Sequence, residues 1–168
     1  TGDTAMSSIQ YIDGHPFVPY SPESIPLEES QRRGHALYAT LNQRRSVRSF
    51  RDEPVPRPLI ECAIRTASTA PSGAHRQPWT FVAISNPALK QEIRKAAEEE
   101  ERKNYGGRMP ETWLQALAPL GTHAEKPYLE VAPWLVVVFA QRHGILEDGT
   151  QQKNYYVQES VGIACGLF

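Results

Sequence analysis

The stretch Thr69-Ala70-Pro71-Ser72-Gly73-Ala74-His75-Arg76-Gln77-Pro78-Trp79 separates two segments of different periodicity. Before it, Leu59, Ile60, Ala63, Ile64 and Ala67 recur at three and four residues behind Pro56 and Pro58, which predicts an amphipathic helix opened by proline in its first turn. After it, Trp79 to Ile84 is a short β-rich run. Ser85-Asn86-Pro87 then supplies a cap and a first-turn proline for a long helix that reaches toward Tyr105 and stops at Gly106-Gly107. The loop itself is made of small residues. Gly73 can take backbone angles closed to other residues, and short side chains let a backbone approach a flat ligand closely. As a plain turn the same residues would be unremarkable, and neither GxGxxG nor GxxxxGK[ST] occurs anywhere in the chain.

Outward from this loop, Pro16, Pro19, Pro22 and Pro26 predict an extended arm over residues 1–26. Residues 27–168 form the domain proper. A helix is predicted from Leu27 to about Gln43, with Ala36, Leu37, Tyr38 and Leu41 as its buried edge. Pro110 to Leu117 is a short helix, Trp134 to Phe139 a second strand, His143 to Gly149 a loop, and a further helix starts near Tyr155. Both strands read as buried. Helices outnumber strands and interrupt them too irregularly for a βαβ repeat, so the fold class is α+β. Two strands make no stable sheet, and a third is expected from a partner chain or from sequence beyond Phe168. The apolar ending Val161 to Phe168, without a cap or polar tail, points to a C-terminally incomplete domain.

The 168 residues balance 18 Lys+Arg against 19 Asp+Glu for a net charge of −1, which leaves no global field to draw in nucleic acid. The longest apolar stretch, Ala132 to Ala140, is less than half of the roughly 20 residues that span a bilayer. Cys62 and Cys165 are too few for a disulfide framework and fall in apolar helical stretches, where buried, inert thiols are expected. A reducing, cytoplasmic location follows as the expectation. The five histidines show neither HxH nor HExxH spacing, so no metal site is predicted, and Ser72 lacks the GxSxG context of a nucleophile.

Two clusters carry chemistry. Arg44, Arg45, Ser46 and Arg48 put three guanidiniums and a hydroxyl at a helix-to-extended junction, where they can hold a phosphate or simply complement the helix dipole. In an extended stretch Arg44, Ser46 and Arg48 share one side, which favours the phosphate. The run Glu98-Glu99-Glu100-Glu101-Arg102-Lys103-Asn104-Tyr105 is ordinarily a solvated helix face. Glu101 and Tyr105, four apart, nevertheless share a face. With Lys126 beyond the Trp113 segment, they could pair with the amino and carboxyl groups of a zwitterionic amino acid.

Arg44-Arg-Ser-Val-Arg48, the Ala70-Pro-Ser-Gly-Ala74 loop with Gln77-Pro-Trp79, and Ala132-Pro-Trp134 together resemble the FMN-dependent nitroreductase superfamily. Pro71-Ser-Gly-Ala-His75, the Glu-x3-Tyr ending at Tyr105, Lys126 before Pro-Tyr-Leu, and Ser160-Val-Gly-Ile-Ala-Cys-Gly-Leu167 resemble its iodotyrosine deiodinase family more specifically. The resemblance implies a central, mainly antiparallel sheet flanked by helices in a domain-swapped homodimer, with FMN between subunits. Arg44, Arg45, Ser46, Val47 and Arg48 would hold the FMN phosphate, ribityl and N1/O2 edge, and Pro71, Ser72 and Gly73 would line the flavin. The Ala74 amide would donate to the substrate phenolate as the catalytic contact. Glu101, Tyr105 and Lys126 would bind the zwitterion, with a segment of about 102–126 closing as a lid. The implied reaction is reductive dehalogenation of halotyrosines, recharged through NAD(P)H and an external reductase. The alternative is a broad-specificity NAD(P)H-dependent nitroreductase or flavin reductase on the same scaffold.

Overall fold

The computed structural model describes residues 9–168. They fall into two compact units, the first ending at Ser46 and the second spanning Val47–Phe168.

In the first unit, strands β1 (Gln10–Ile12) and β2 (His15–Phe17) pair antiparallel and helix α1 (Leu27–Asn42) follows. The hairpin departs from the extended arm predicted over residues 1–26, whose residues 1–8 lie outside the described ones. Its signal is Asp13-Gly14, both at positive φ (50° and 79°), the two-residue turn whose twist matches that of paired strands. In α1, Leu37, Tyr38 and Leu41 are 60%, 68% and 60% exposed, so the predicted buried edge is not covered within its unit. The three-residue strands there are too short to form a layer over it.

The second unit runs α2 (Arg57–Ala67), β3 (Trp79–Ile84), α3 (Pro87–Lys103), α4 (Glu111–Leu117), α5 (Tyr128–Val131), β4 (Leu135–Ala140), β5 (His143–Ile145), β6 (Gln151–Lys153) and α6 (Val157–Leu167). Strands β3 and β4 pair antiparallel from Trp79 opposite Ala140 to Ile84 opposite Leu135. β5, within the His143 to Gly149 stretch predicted as a loop, pairs with β6 just beyond it in a hairpin closed by the Leu146 carbonyl accepting from Gly149 N–H and by Thr150 N–H donating to Asp148 Oδ1. Among the described residues the sheets are two-stranded and antiparallel, and the mixture of helix and strand is α+β.

Helix α2 packs on α6, and α6 on β4. Ala67 and Ala164 are fully enclosed, the Phe81 and Phe168 rings stack at 6.1 Å, and the Trp134 indole N–H donates to the Val55 carbonyl at 2.8 Å. The strands are half-exposed, not buried as predicted: a two-strand ribbon has more surface than α6 covers, which leaves Phe139 56% exposed. Cys62 and Cys165 are exposed free thiols, against the expectation of burial. Only Ala67 of α2 and Ser160 and Ala164 of α6 are buried, and neither cysteine is among them.

Helix α3 begins as its sequence directs, with the Asn86 side chain accepting from Leu89 N–H at 3.0 Å and Pro87 in the first turn. It ends in one wide π-type turn over Asn104–Arg108, with Gly107 at φ 129°.

Candidate functional site

The 69–79 loop is held by Ser72. Its carbonyl accepts from His75 N–H at 3.0 Å and its hydroxyl accepts from Gln77 N–H at 2.9 Å. Within this frame Ala74, His75 and Gln77 all sit at positive φ (49°, 54° and 47°). Left-handed backbone costs a non-glycine residue about 1 kcal/mol or more, and three such residues in four positions mark a loop whose shape is imposed by its surroundings. Part of that constraint is steric. A Cβ on Gly73 would stand 3.0 Å from the Tyr155 carbonyl oxygen and 3.1 Å from Tyr156 Cδ2, so any larger residue would crowd the start of α6. The turn leaves the exposed Ala74 N–H without an acceptor among the described residues. A cleft of about 420 Å³ opens beside it, lined by Gly73, Ala74, Arg76, Lys153, Tyr155 and Tyr156. Arg76 is fixed there by donating through Nε to the buried Asn154 at 3.1 Å. Pro71 is exposed and Ser72 half-buried at the loop's entry.

The second constellation grows from α3. The side chains of Lys90, Arg94, Glu98, Glu101 and Tyr105 follow one another at helical spacing down one face, and each reaches the segment between Thr122 and Ala132, which runs the opposite way. Lys90, buried, donates through Nζ to the carbonyls of Glu130 (2.8 Å) and Ala132 (2.7 Å). Arg94 pairs with Glu130 at 3.3 Å and with Glu98 at 2.6 Å. Glu98 Oε1 also accepts from the Lys126 backbone N–H at 2.7 Å. Glu101 pairs with the Lys126 ammonium at 3.0 Å, and Tyr105 donates to Thr122 Oγ1 at 2.9 Å.

Lys126 is the node of this ladder. Besides Glu101, its Nζ reaches the His123 carbonyl at 2.6 Å and lies 5.9 Å from the centre of the Tyr105 ring. Three of the predicted substrate-binding residues, Glu101, Tyr105 and Lys126, therefore converge although most of the 102–126 segment separates them in sequence. The Arg94 guanidinium first, then the Lys126 N–H, hold the Glu98 carboxyl below its ordinary pKa. Trp113 of α4, within the intervening segment, is 58% exposed.

The Arg-rich cluster divides between the units. Arg44, Arg45 and Ser46 close the first, and Val47 and Arg48 open the second. Arg45 turns back through Nη1 onto the carbonyls of Asn42 (2.7 Å) and Arg44 (2.8 Å) at the end of α1, the dipole-complementing role that competes with a phosphate role. Among the described residues no group of His, Cys, Asp and Glu is arranged to hold a metal ion, and no helix is long and apolar enough to cross a membrane.

Residues 41–168 match the model of the nitroreductase family. Iodotyrosine deiodinase of Haliscomenobacter hydrossis is 53% identical over 90% of this chain and 68% of its own length. The chain belongs to the nitroreductase family, in its iodotyrosine deiodinase branch. Iodotyrosine deiodinase 1 of Homo sapiens is 46% identical to this nitroreductase over 89% of the chain. The chain spans 52% of the human protein's length and 68% of the bacterial one's. A crystal structure of oxidized iodotyrosine deiodinase bound to FMN and 3-iodo-L-tyrosine superposes with a TM-score of 0.68 at 30% identity, covering 78% of this chain and 65% of that one.

Sequence reasoning about this nitroreductase missed Lys90, Arg94 and Glu98. Glu98 belongs to the run that reads as a solvated face, in which Glu99, Glu100 and Lys103 are exposed, and Lys90 and Arg94 lie before that run in the same helix. The usable signal is the spacing: Lys90, Arg94, Glu98, Glu101 and Tyr105 lie four, four, three and four residues apart, on a single stripe.

Proposed function

We propose that this chain is part of an FMN-dependent enzyme that reductively dehalogenates halotyrosines. The observation that carries this reading is the convergence of Glu101, Tyr105 and Lys126 into one cluster with an anion, a cation and a phenol. A free amino acid offers both charges at one carbon. Glu101 would take its ammonium and Lys126 its carboxylate, each exchanging one ionic partner for another with no charge left bare.

The residues present fit FMN by the chemistry of their donors. Arg44 and Arg48 offer guanidiniums and Ser46 a hydroxyl suited to a phosphate, Arg45 would join them by giving up its bonds to the Asn42 and Arg44 carbonyls, and the 71–74 loop presents small side chains suited to a flat ring. FMN when bound supplies the two electrons that, with one proton, convert the carbon–halogen bond to carbon–hydrogen and release halide. The Ala74 N–H, in an exposed part of this loop, would donate to the substrate's phenolate oxygen and hold the ring in place. Glu101 and Lys126 would orient the substrate from its other end. The segment of about 102–126, which joins Tyr105 to Lys126, would close over it and exclude water. A homodimer, with NAD(P)H and an external reductase as electron source, completes the proposal.

The test is halide release. Full-length protein loaded with FMN and reduced with dithionite should free iodide from 3-iodotyrosine, and titration of the oxidised form with 3-iodotyrosine should quench flavin fluorescence at micromolar ligand. Rapid turnover of nitroaromatics with NAD(P)H, without iodide release, would favour the broader nitroreductase activity instead.

A further inference from the structure

Lys126 is anchored twice, and the second anchor touches neither charge of the proposed substrate. Its ammonium meets Glu101, but its main chain is tied separately: the N–H donates at 2.7 Å to Oε1 of Glu98, one turn before Glu101 on α3. Glu98 is itself 8% exposed and fixed, because the same Oε1 accepts from Arg94 Nε at 2.6 Å while Oε2 faces Arg102 Nη2 at 3.5 Å. Arg94 is in turn braced by Glu130, beyond Lys126 in sequence. Pro127 adds a local restriction, since a residue before proline is pressed toward extended backbone. The Lys126 peptide is thus held from one side by the chain and from the other by a buried carboxylate.

We infer that Glu98 is the positioning residue for the Lys126 ammonium: it locks the Lys126 main chain to α3, so that the cation stands at a set distance from Glu101 and Tyr105 on the same helix face. The inference rests on the proposed role of Glu101 and Lys126 in gripping a zwitterion and deepens it. A lysine side chain is long and rotamer-rich, and its head group is placed only as well as its backbone is. Without the Glu98 tie, the Lys126 N–H loses its acceptor, and the stretch around Lys126 gains freedom between its flanking ties, Tyr105 to Thr122 on one side and Lys90 to Glu130 and Ala132 on the other. The Glu101 and Lys126 charges then no longer match the fixed spacing of an amino acid's ammonium and carboxylate. Misplacement by about an ångström is enough to cost tenfold or more in productive binding.

The experiment compares Glu98→Ala and Glu98→Gln in the full-length, FMN-loaded protein with two substrates, 3-iodotyrosine and 2-iodophenol, the second having neither charge for Lys126 or Glu101 to hold. In Glu98→Ala the preference for 3-iodotyrosine over 2-iodophenol, measured as the ratio of their kcat/KM values, should fall about tenfold, mainly because the amino acid substrate shows a higher KM. Glu98→Gln should restore most of that ratio, because an amide oxygen can still accept from both Lys126 N–H and Arg94 Nε. Hydrogen exchange of the Lys126 amide should quicken in Glu98→Ala and return toward wild type in Glu98→Gln, with the β3 and β4 amides unchanged. Equal losses on the two substrates, unchanged exchange at Lys126, or a glutamine variant no better than alanine would each overturn the inference. If wild-type protein neither binds nor dehalogenates 3-iodotyrosine, the functional reading falls, and the exchange measurement alone still decides whether Glu98 positions Lys126.

Discussion

Glu101 and Lys126 are closed on each other at 3.0 Å, with side chains only 28% and 16% exposed. In the proposed role the site would discriminate by exchange: a ligand would have to offer an anion to Lys126 and a cation to Glu101, or leave one of them stranded in a half-buried setting. A ligand carrying only the ammonium or only the carboxylate is expected to bind at least tenfold more weakly than the zwitterion, a loss of about 1.4 kcal/mol. Calorimetric titration with 3-iodotyrosine, 3-iodotyramine and the matching deaminated acid checks this, and equal affinities for all three would refute the exchange.

Glu101→Gln and Lys126→Met should each raise the KM for iodotyrosine, and the double substitution should cost less than the sum. Each single change leaves its partner uncompensated, which the second change relieves. Additive losses in the double-mutant cycle would mean that the two groups act apart.

Gly73→Ala should destabilise the fold by about 1–3 kcal/mol, since the added methyl would meet the Tyr155 carbonyl oxygen at 3.0 Å and the chain at the start of α6 must move. Denaturant unfolding reads the loss. An unchanged midpoint would show that the loop and α6 are not in tight contact.

Lys90→Met is expected to cost about 2–3 kcal/mol, because the carbonyls of Glu130 and Ala132 lose a charged donor in a buried position that water does not readily reach. Urea unfolding measures this, and a methionine variant as stable as wild type would assign Lys90 no clamping role.

The Glu98 carboxyl is held below its ordinary value by Arg94 and the Lys126 N–H, so the folded form binds its proton less tightly than the unfolded chain does. The stabilisation is therefore fully present above the unfolded value of about 4.5 and fades as pH drops through the lower folded value. The Tm difference between wild type and Glu98→Gln should be constant at neutral and mildly acidic pH and shrink below about pH 4. A difference that grows on acidification would reverse the assignment.

Much of this was open to reading along the chain. Asn86 before Pro87 announces the start of α3, Gly106-Gly107 its end, and the Ile60, Ile64, Ala67 spacing gives α2, because caps, prolines and helical periodicity act within a few residues. The Asp13-Gly14 hairpin was equally legible and lay hidden under a proline-rich composition. The β5–β6 pairing was not, since Gln151 to Lys153 carries no apolar alternation to mark a strand.

What the sequence determined by itself is local: which residues turn, which cap, and which share a helix face, so that Glu101 and Tyr105 were bound to project together. Only the tertiary structure decided that Lys126 joins them and that Glu98 is buried under Lys126 while Glu99 and Glu100 stay exposed. The physical reason is that a charged residue's role depends on the partner that replaces its water. For Glu98 those partners are Arg94, on its own helix, and the main chain of Lys126, brought alongside by a ladder of contacts from Lys90 to Tyr105 that no local pattern encodes.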